Sequence, residues 1–94
     1  MAVRDRENHR AWRRRRVEQL LAIVAEAKDK PCADCGVSYP KQVMDFDHRP
    51  DTPRNGAHPI SYMVHQTPSD ERLRAEIAKC DVVCANCHRL RHAP

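Results

Sequence analysis

The chain has 94 residues, a net charge of +4 and 4% aromatic residues, and 32% of its residues are charged. A chain of this length makes one small domain that buries only about 60% of its unfolded surface, so apolar burial alone stabilises it weakly. It has no segment near the roughly 18 consecutive apolar residues of a membrane span, and its arginine-rich start lacks the apolar core of a secretory signal. We therefore expect a cytoplasmic protein with no membrane partner.

The basic excess lies entirely in the first third of the chain. Residues 1–30 contain nine Lys/Arg against five Asp/Glu, whereas residues 31–94 contain eight of each. Arginine suits bidentate contacts with phosphate, which indicates nucleic acid as the partner of this segment; a solvated charged arm is the alternative. The candidate DNA-binding residues are Arg10, Arg13, Arg14, Arg15 and Arg16, together with Arg54 and Arg91 from the rest of the chain.

The N-terminal segment also predicts a long helix over residues 5–28, because it contains good helix formers and neither Pro nor Gly. An apolar stripe at helical spacing marks only the second half of this helix. The stripe consists of Val17, Leu20, Leu21, Val24 and Ala25. We therefore divide the chain into a basic helix (1–30), which docks by its C-terminal half, and a domain of residues 31–94.

The domain of residues 31–94 shows a succession of short elements. Ser69 has the features of an N-cap, and Gly36 stands where a tight turn often needs a positive φ. The predicted order is a compact turn (31–42), a strand (43–48), a proline-rich loop (49–68), a helix to about Lys79, a strand (81–83) and a final helix (85–92).

Four of the five cysteines form two C-x-x-C units, Cys32/Cys35 and Cys84/Cys87. Two such units complete a tetrahedral four-thiolate zinc site, which would supply on the order of 10 kcal/mol of folding energy. A redox dithiol is disfavoured because there are two units and no βαβ pattern, and disulfides are disfavoured in a reducing compartment. A site of this kind has no open position for chemistry. We interpret Cys80 as a small buried apolar group on the helix ending near residue 79, with a ligand role as the alternative.

A second cluster combines Asp47 with two histidines of the final helix. His88 and His92 are four residues apart, so they share one helix face. Two imidazoles and one carboxylate can hold a divalent ion and leave positions for water and phosphate. His48 is suited to take a proton from water near neutral pH, and Asp45 is either a further ligand or a solvated carboxylate. The other histidines, which we expect at the surface, are His9, His58 and His65.

The stretch from Cys32 to His92, about two-thirds of the chain, resembles the HNH endonuclease family. The motifs that carry the resemblance are DFDHRP (45–50) and CANCHRLRH (84–92), and small stand-alone HNH proteins of phages and bacteria are the most similar. The resemblance implies a small α+β fold with a ββα-metal core, stapled by the four-cysteine zinc knuckles and preceded by the long basic helix. It also implies hydrolysis of DNA phosphodiesters.

The resemblance further implies roles for single residues. His48 matches the general base, Asp47 the metal ligand before it, and His88 the helix histidine of the motif. His92 occupies the place of the second helix ligand of colicin-type nucleases. Strict strand alternation would send Asp47 and His48 to opposite faces, and we expect a twisted strand end to bring them together.

The middle Asn of the family motif has no counterpart at its usual place. It normally precedes the second C-x-x-C by four or five residues, where this chain has Lys79 and Cys80. Asn55 or Asn86 is the candidate substitute. The sequence therefore leaves open which residue supplies the third metal ligand, or the hydrogen bond that holds the loop, in place of this Asn.

The expected activity is nicking or weakly specific cleavage of DNA that leaves a 5′-phosphate and a 3′-hydroxyl. The catalytic ion is Mg²⁺, Mn²⁺, Ni²⁺ or Zn²⁺, and Arg49, Arg89 or Arg91 would neutralise the phosphate. The protein would act as a monomer or weak dimer, with a phage terminase as a possible partner by resemblance only. The alternatives are a catalytically inactive, zinc-stabilised DNA-binding or interaction module, and a zinc-bound adaptor that does not bind nucleic acid.

Overall fold

The computed structural model describes residues 2–52 and 59–94, with side chains from residue 6 onward. This part of the chain is a small α+β protein with a two-stranded antiparallel sheet. Its elements are α1 (Ala2–Ala27), a 3-10 turn (Lys41–Val43), β1 (Met44–His48), α2 (Ile60–His65), α3 (Asp70–Ile77), β2 (Cys80–Cys84) and α4 (Ala85–Arg91). Among these helices, none has both the length and the apolar character that a membrane span requires.

Helix α1 forms as predicted and packs through its second half. Leu20 and Ile23 are buried, and Val24 is partly buried against the same cluster. Leu21 is 48% exposed, so its assignment to the buried stripe was wrong. Each residue turns the helix by about 100°, which carries Leu21 to the flank of the face that Leu20 and Val24 share.

Helix α2 occupies part of the segment predicted as a continuous loop. Ile60 and Val64 are one turn apart and buried, and both belong to the cluster that contains Leu20 and Leu73. A helix of six residues is too short to be stable by itself, so packing against α1 and α3 stabilises it. The prediction of a loop over 49–68 was therefore wrong for Ile60–His65.

Helix α3 begins where the sequence indicated. The Ser69 hydroxyl accepts a hydrogen bond from the Arg72 N–H at 3.1 Å, which confirms the predicted N-cap. The helix ends at Ile77, and β2 begins at Cys80. Cys80 is therefore a strand residue rather than the helix residue we predicted, although it is buried as expected.

The sheet register sets the geometry of the site. Met44 pairs with Cys84, Asp47 with Asp81, and His48 with Cys80. Strand β2 passes directly into α4, and the N-cap of α4 is Cys84, whose Sγ accepts a hydrogen bond from the Cys87 N–H at 3.4 Å. The first residues of α4 therefore lie beside the end of β2, and α4 packs against the sheet.

Candidate metal centres

The first candidate centre is formed by Cys32, Cys35, Cys84 and Cys87, whose sulfur atoms all lie within 4.8 Å of one another. Cys32 and Cys35 belong to the turn between α1 and β1. The Ala33 N–H bonds the Val82 carbonyl at 2.9 Å, which attaches this turn to β2.

Gly36 completes the turn. Its N–H bonds the Cys32 carbonyl at 2.9 Å, and its φ of +74° lies in the left-handed region that the sequence anticipated for this position. Backbone conformation at one glycine therefore closes the loop that carries the first two thiols.

The thiol chemistry of this cluster suits a metal. Burial raises the pKa of Cys32, but backbone hydrogen bonds involving Cys35, Cys84 and Asp34 outweigh burial, and the pKa falls from 9.0 to about 6. The Cys84 N–H, for example, donates to the Cys32 sulfur at 3.3 Å. The low pKa of Cys32 favours the thiolate, which is the metal-binding form, whereas a hydrogen bond with Cys84 raises the pKa of Cys87 to about 12. The fit of the four cysteines to a structural ion such as zinc therefore rests on the placement of their sulfur atoms. Cys80 lies outside this cluster.

The second candidate centre brings together Asp47, His88 and His92, with one ligand atom of each within 4.8 Å of the others. Asp47 Oδ1 lies 3.0 Å from His92 Nε2 and 3.6 Å from His88 Nε2. Asp47 is 8% exposed, whereas the His92 side chain is 60% exposed. The three donors therefore converge at the surface, beside an open cleft lined by Asp45 and Arg89.

Asp45 orients one of these histidines. Its Oδ2 lies 3.0 Å from Nδ1 of His88. A carboxylate can only accept hydrogen bonds, so Nδ1 of His88 donates to Asp45, and Nε2 is the ring nitrogen that faces Asp47. Histidine ligands are commonly held this way by a carboxylate behind the ring. The sequence left Asp45 open as a further ligand or a solvated carboxylate, and the structure gives it a different role, as the hydrogen-bond partner of His88.

Arg91 is surrounded by three carboxylates. Its Nε and Nη2 bond Asp34 at 2.6 Å each, and its Nη1 bonds Asp47 Oδ2 at 3.0 Å and Asp81 Oδ2 at 3.1 Å. Burial raises the pKa of Asp47, but hydrogen bonds from Arg91 and His92 lower it more, so the pKa lies below its usual value. The structure thus places Arg91, a predicted DNA contact, inside the protein's own charge network, where it keeps Asp47 ionised.

His48 stands apart from the second centre. Its Nε2 lies 3.2 Å from Glu76 Oε1 on α3, whereas Asp47 faces α4. Strand β1 therefore keeps ordinary alternation, and the twisted strand end that we expected is not seen among the described residues. The role of His48 as a general base stays a prediction.

Two of the other predicted arginines, Arg49 and Arg89, lie near the sheet and on α4, and the rest that the structure describes lie on α1. Arg49 donates to the carbonyls of Ala78 at 2.5 Å and Cys80 at 3.2 Å, so it joins the end of α3 to β2. Arg89 is exposed on α4.

On α1, Arg13 donates to the His65 carbonyl at 2.5 Å and Arg16 to the Pro68 carbonyl at 2.7 Å, so both attach this helix to the α2–α3 corner. The arginines of α1 that are exposed, without a hydrogen bond in the described part of the chain, are Arg10, Arg14 and Arg15. Of the remaining predicted residues, Arg54 and Asn55 lie outside the described residues, and Asn86 is exposed on α4.

Sequence reasoning missed the partners Asp34, Asp81 and Glu76. Asp34 lies between two candidate ligands in the first C-x-x-C, which was a weak local signal. Asp81 contacts Arg91 because of the strand register, and Glu76 contacts His48 because of where α3 lies. No local sequence pattern predicts either contact.

Comparison with protein-family models, curated proteins and solved structures found no match for this chain. Its functional interpretation therefore rests on the two ligand clusters and the charged residues around them.

Proposed function

We propose that the protein is a metal-dependent DNA endonuclease of the HNH type. One observation carries the proposal: Asp47, His88 and His92 converge at the surface from β1 and α4, within 4.8 Å of one another. Two antiparallel strands followed directly by a helix support a ββα-metal interpretation of β1, β2 and α4. The four-cysteine cluster supports a structural zinc ion that fixes where α4 begins.

The donor set of the second centre fits a divalent ion that retains open positions. Two imidazoles and one carboxylate favour Mn²⁺, Ni²⁺ or Zn²⁺ over Mg²⁺, which prefers oxygen ligands. When bound, such an ion supplies positive charge at the scissile phosphate and at the leaving oxygen. Asp45 supports metal binding indirectly, because its hydrogen bond with Nδ1 of His88 orients the ring of this ligand.

The chain's own residues supply the remaining steps. His48 follows Asp47 directly at the end of β1, with its ring on the strand face toward α3. We assign it the role of taking a proton from the attacking water. Arg89, exposed beside His88 on the cleft, contacts the phosphate. The expected products are a 5′-phosphate and a 3′-hydroxyl.

Binding of DNA is assigned to the exposed side of α1. Arg10, Arg14 and Arg15 would contact the phosphate backbone without reading bases, which favours nicking or weakly specific cleavage. One ion and one base cut one strand, so a monomer or weak dimer suffices. A thiolate zinc site suits the reducing cytoplasm, and a phage terminase remains a partner suggested by resemblance alone.

A second candidate is an inactive, zinc-stabilised DNA-binding or interaction module. It is favoured by one observation, the placement of the His48 ring against Glu76 on the face of β1 away from the ligand cluster. Nicking of supercoiled plasmid at low salt with Mg²⁺, Mn²⁺, Ni²⁺ and Zn²⁺ distinguishes the two functions. The endonuclease nicks with at least one ion and its His48→Ala variant is slower by about 10²- to 10⁴-fold. Equal inactivity of both proteins with every ion would favour the module.

A further inference from the structure

Trp12 is a large aromatic side chain that the core of the protein does not use. It is the single tryptophan of the chain, it lies on α1, and it is 49% exposed. Among the described residues, the two apolar clusters include no residue of α1 before Val17. Packing in the core therefore does not account for the place of Trp12, and half of its surface is open to a ligand.

Trp12 and His9 together form an aromatic surface, the Trp12–His9 pair. The two residues are three apart on the helix, their ring centroids are separated by 6.0 Å and their planes differ by 24°, so the rings are stacked. Both side chains are exposed. A stacked surface of this kind suits another flat ring, and every nucleic-acid base offers a π face whatever the sequence.

The pair lies in the basic half of α1, residues 6–15. This stretch contains five arginines and one acidic residue, Glu7, and each of its side chains except Ala11 is exposed. Arg15 is three residues after Trp12 and therefore lies beside it, whereas Arg10 and Arg14 are each two residues away and point to the other side of the helix. A phosphate on Arg15 would thus be next to a ring stacked on Trp12.

The two forms of DNA differ in whether such a ring is accessible. In a duplex each base is paired and stacked between its neighbours, so a side chain reaches its face only after the base has been unstacked at a cost in free energy. In a single strand the faces are open, and proteins that bind such strands combine a basic surface with aromatic rings. A basic half-helix with one exposed aromatic pair therefore favours unpaired DNA.

We propose that the basic half of α1 binds single-stranded DNA, with an unpaired base stacked on the Trp12–His9 pair and the adjacent phosphate on Arg15. Resting on the proposed endonuclease function, this assignment narrows the substrate to DNA that carries an unpaired stretch. Binding of the stretch needs no metal ion, so it can be measured apart from cleavage.

Trp12 is itself the probe, because no other tryptophan contributes to the fluorescence. Titration of the full chain with oligothymidylate should quench this emission, whereas a duplex of equal length should quench it much less. Fluorescence anisotropy of labelled oligonucleotides gives the affinities of all variants. The wild type should bind the single strand more tightly than the duplex.

Two variants separate stacking from charge. Trp12→Ala should weaken binding of oligothymidylate by about 10- to 100-fold without changing the slope of log K against log salt. Arg15→Ala should instead make that slope shallower by about 0.7. Trp12→Phe keeps a flat ring and should retain most of the affinity. Leu21→Ala is the matched control, because Leu21 is 48% exposed on α1 outside the basic half, and it should bind as the wild type does.

Three results would overturn the proposal. They are an emission that does not change when oligothymidylate binds, equal affinities of Trp12→Ala and Leu21→Ala for it, and tighter binding of duplex DNA or of oligouridylate. A protein that nicks plasmid although Trp12→Ala binds normally would contradict this assignment alone. A protein whose emission is quenched by oligothymidylate but that never nicks would contradict the endonuclease function alone. If Trp12→Ala does not fold, the wild-type emission and Trp12→Phe still decide.

Discussion

Arg91 and Asp34 form a bidentate ion pair, with Nε and Nη2 each 2.6 Å from a carboxylate oxygen. Asp34 lies inside the first C-x-x-C unit, and the third nitrogen of Arg91 bonds Asp47, a ligand of the second candidate centre. One side chain on α4 therefore connects the four-cysteine cluster to the cluster of Asp47, His88 and His92. The two candidate centres therefore share one charge network.

Removal of Arg91 should destabilise the fold. Arg91→Ala removes the guanidinium that Asp34 and Asp47 share and leaves Asp81 with Arg49, 3.5 Å away, as its cation, and we expect the free energy of unfolding to fall by about 1–3 kcal/mol. Urea denaturation measures the change. Arg89→Ala is the matched control on the same helix, because Arg89 is exposed, and should change stability by less than about 0.5 kcal/mol. Equal stability of the two variants would show that the network contributes nothing.

The four-cysteine cluster should bind one metal ion that the fold requires. Substitution of Co²⁺ for the bound ion should give the thiolate charge-transfer and tetrahedral d–d absorption bands of a four-sulfur site. Removal of the ion by a strong chelator should unfold the protein. Cys84→Ser should abolish these bands. Cys80→Ser should retain them, since Cys80 lies outside the cluster. Loss of the bands in Cys80→Ser as well would contradict the assignment.

Stability should fall in alkali because of Cys80. Burial, followed by the charge of Glu76, raises the pKa of this thiol from 9.0 to about 11. The folded state therefore holds the proton more tightly than the unfolded state, so the contribution is complete below pH 9 and is lost between pH 9 and about 11. The decrease in stability should reach about 3 kcal/mol at most.

Urea denaturation of the wild type and Cys80→Ala across this pH range isolates the thiol, because every other titrating group is common to both. The wild type should lose stability more steeply with rising pH. Parallel curves would show that Cys80 ionises as readily in the folded protein as in the unfolded chain.

The arginines of α1 should separate into those that bind DNA and those that stabilise the fold. Replacing Arg10, Arg14 and Arg15 together by Ala should weaken binding to duplex DNA. The slope of log K against log salt should become shallower by about 0.9 for each phosphate that the variant no longer neutralises. Thermal unfolding should change little. Arg16→Ala should instead reduce stability, because Arg16 bonds the Pro68 carbonyl and pairs with Asp70 at 2.9 Å. An unchanged salt dependence in the triple variant would show that these three arginines do not contact the DNA phosphates.

The parts of the site that local spacing determines could be predicted from the sequence. Two C-x-x-C units place four sulfurs around one point, and His88 and His92 share a face because they are one helical turn apart. The N-cap at Ser69 was equally local, since it depends on one hydroxyl and the backbone three residues on.

The interactions that depend on packing and register could not be predicted. Helix α2 forms because Ile60 and Val64 meet α1 and α3, although its segment has no helical signal of its own. The partner of His48 follows from where α3 lies, and the three partners of Arg91 converge from a turn and two strands. The N-terminal arginine run likewise does not reveal which of its members bond the α2–α3 corner.

The most direct test of the central claim is the nicking rate of His88→Ala on supercoiled plasmid, with Mn²⁺ as the added ion. His65→Ala is the matched control, because His65 is exposed and lies outside both ligand clusters. We predict that the wild type and His65→Ala nick at the same rate, whereas His88→Ala is slower by at least about 10²-fold with its cobalt-substituted thiolate spectrum intact. His88→Ala that nicks as fast as His65→Ala would contradict the assignment of catalysis to the ion held by Asp47, His88 and His92.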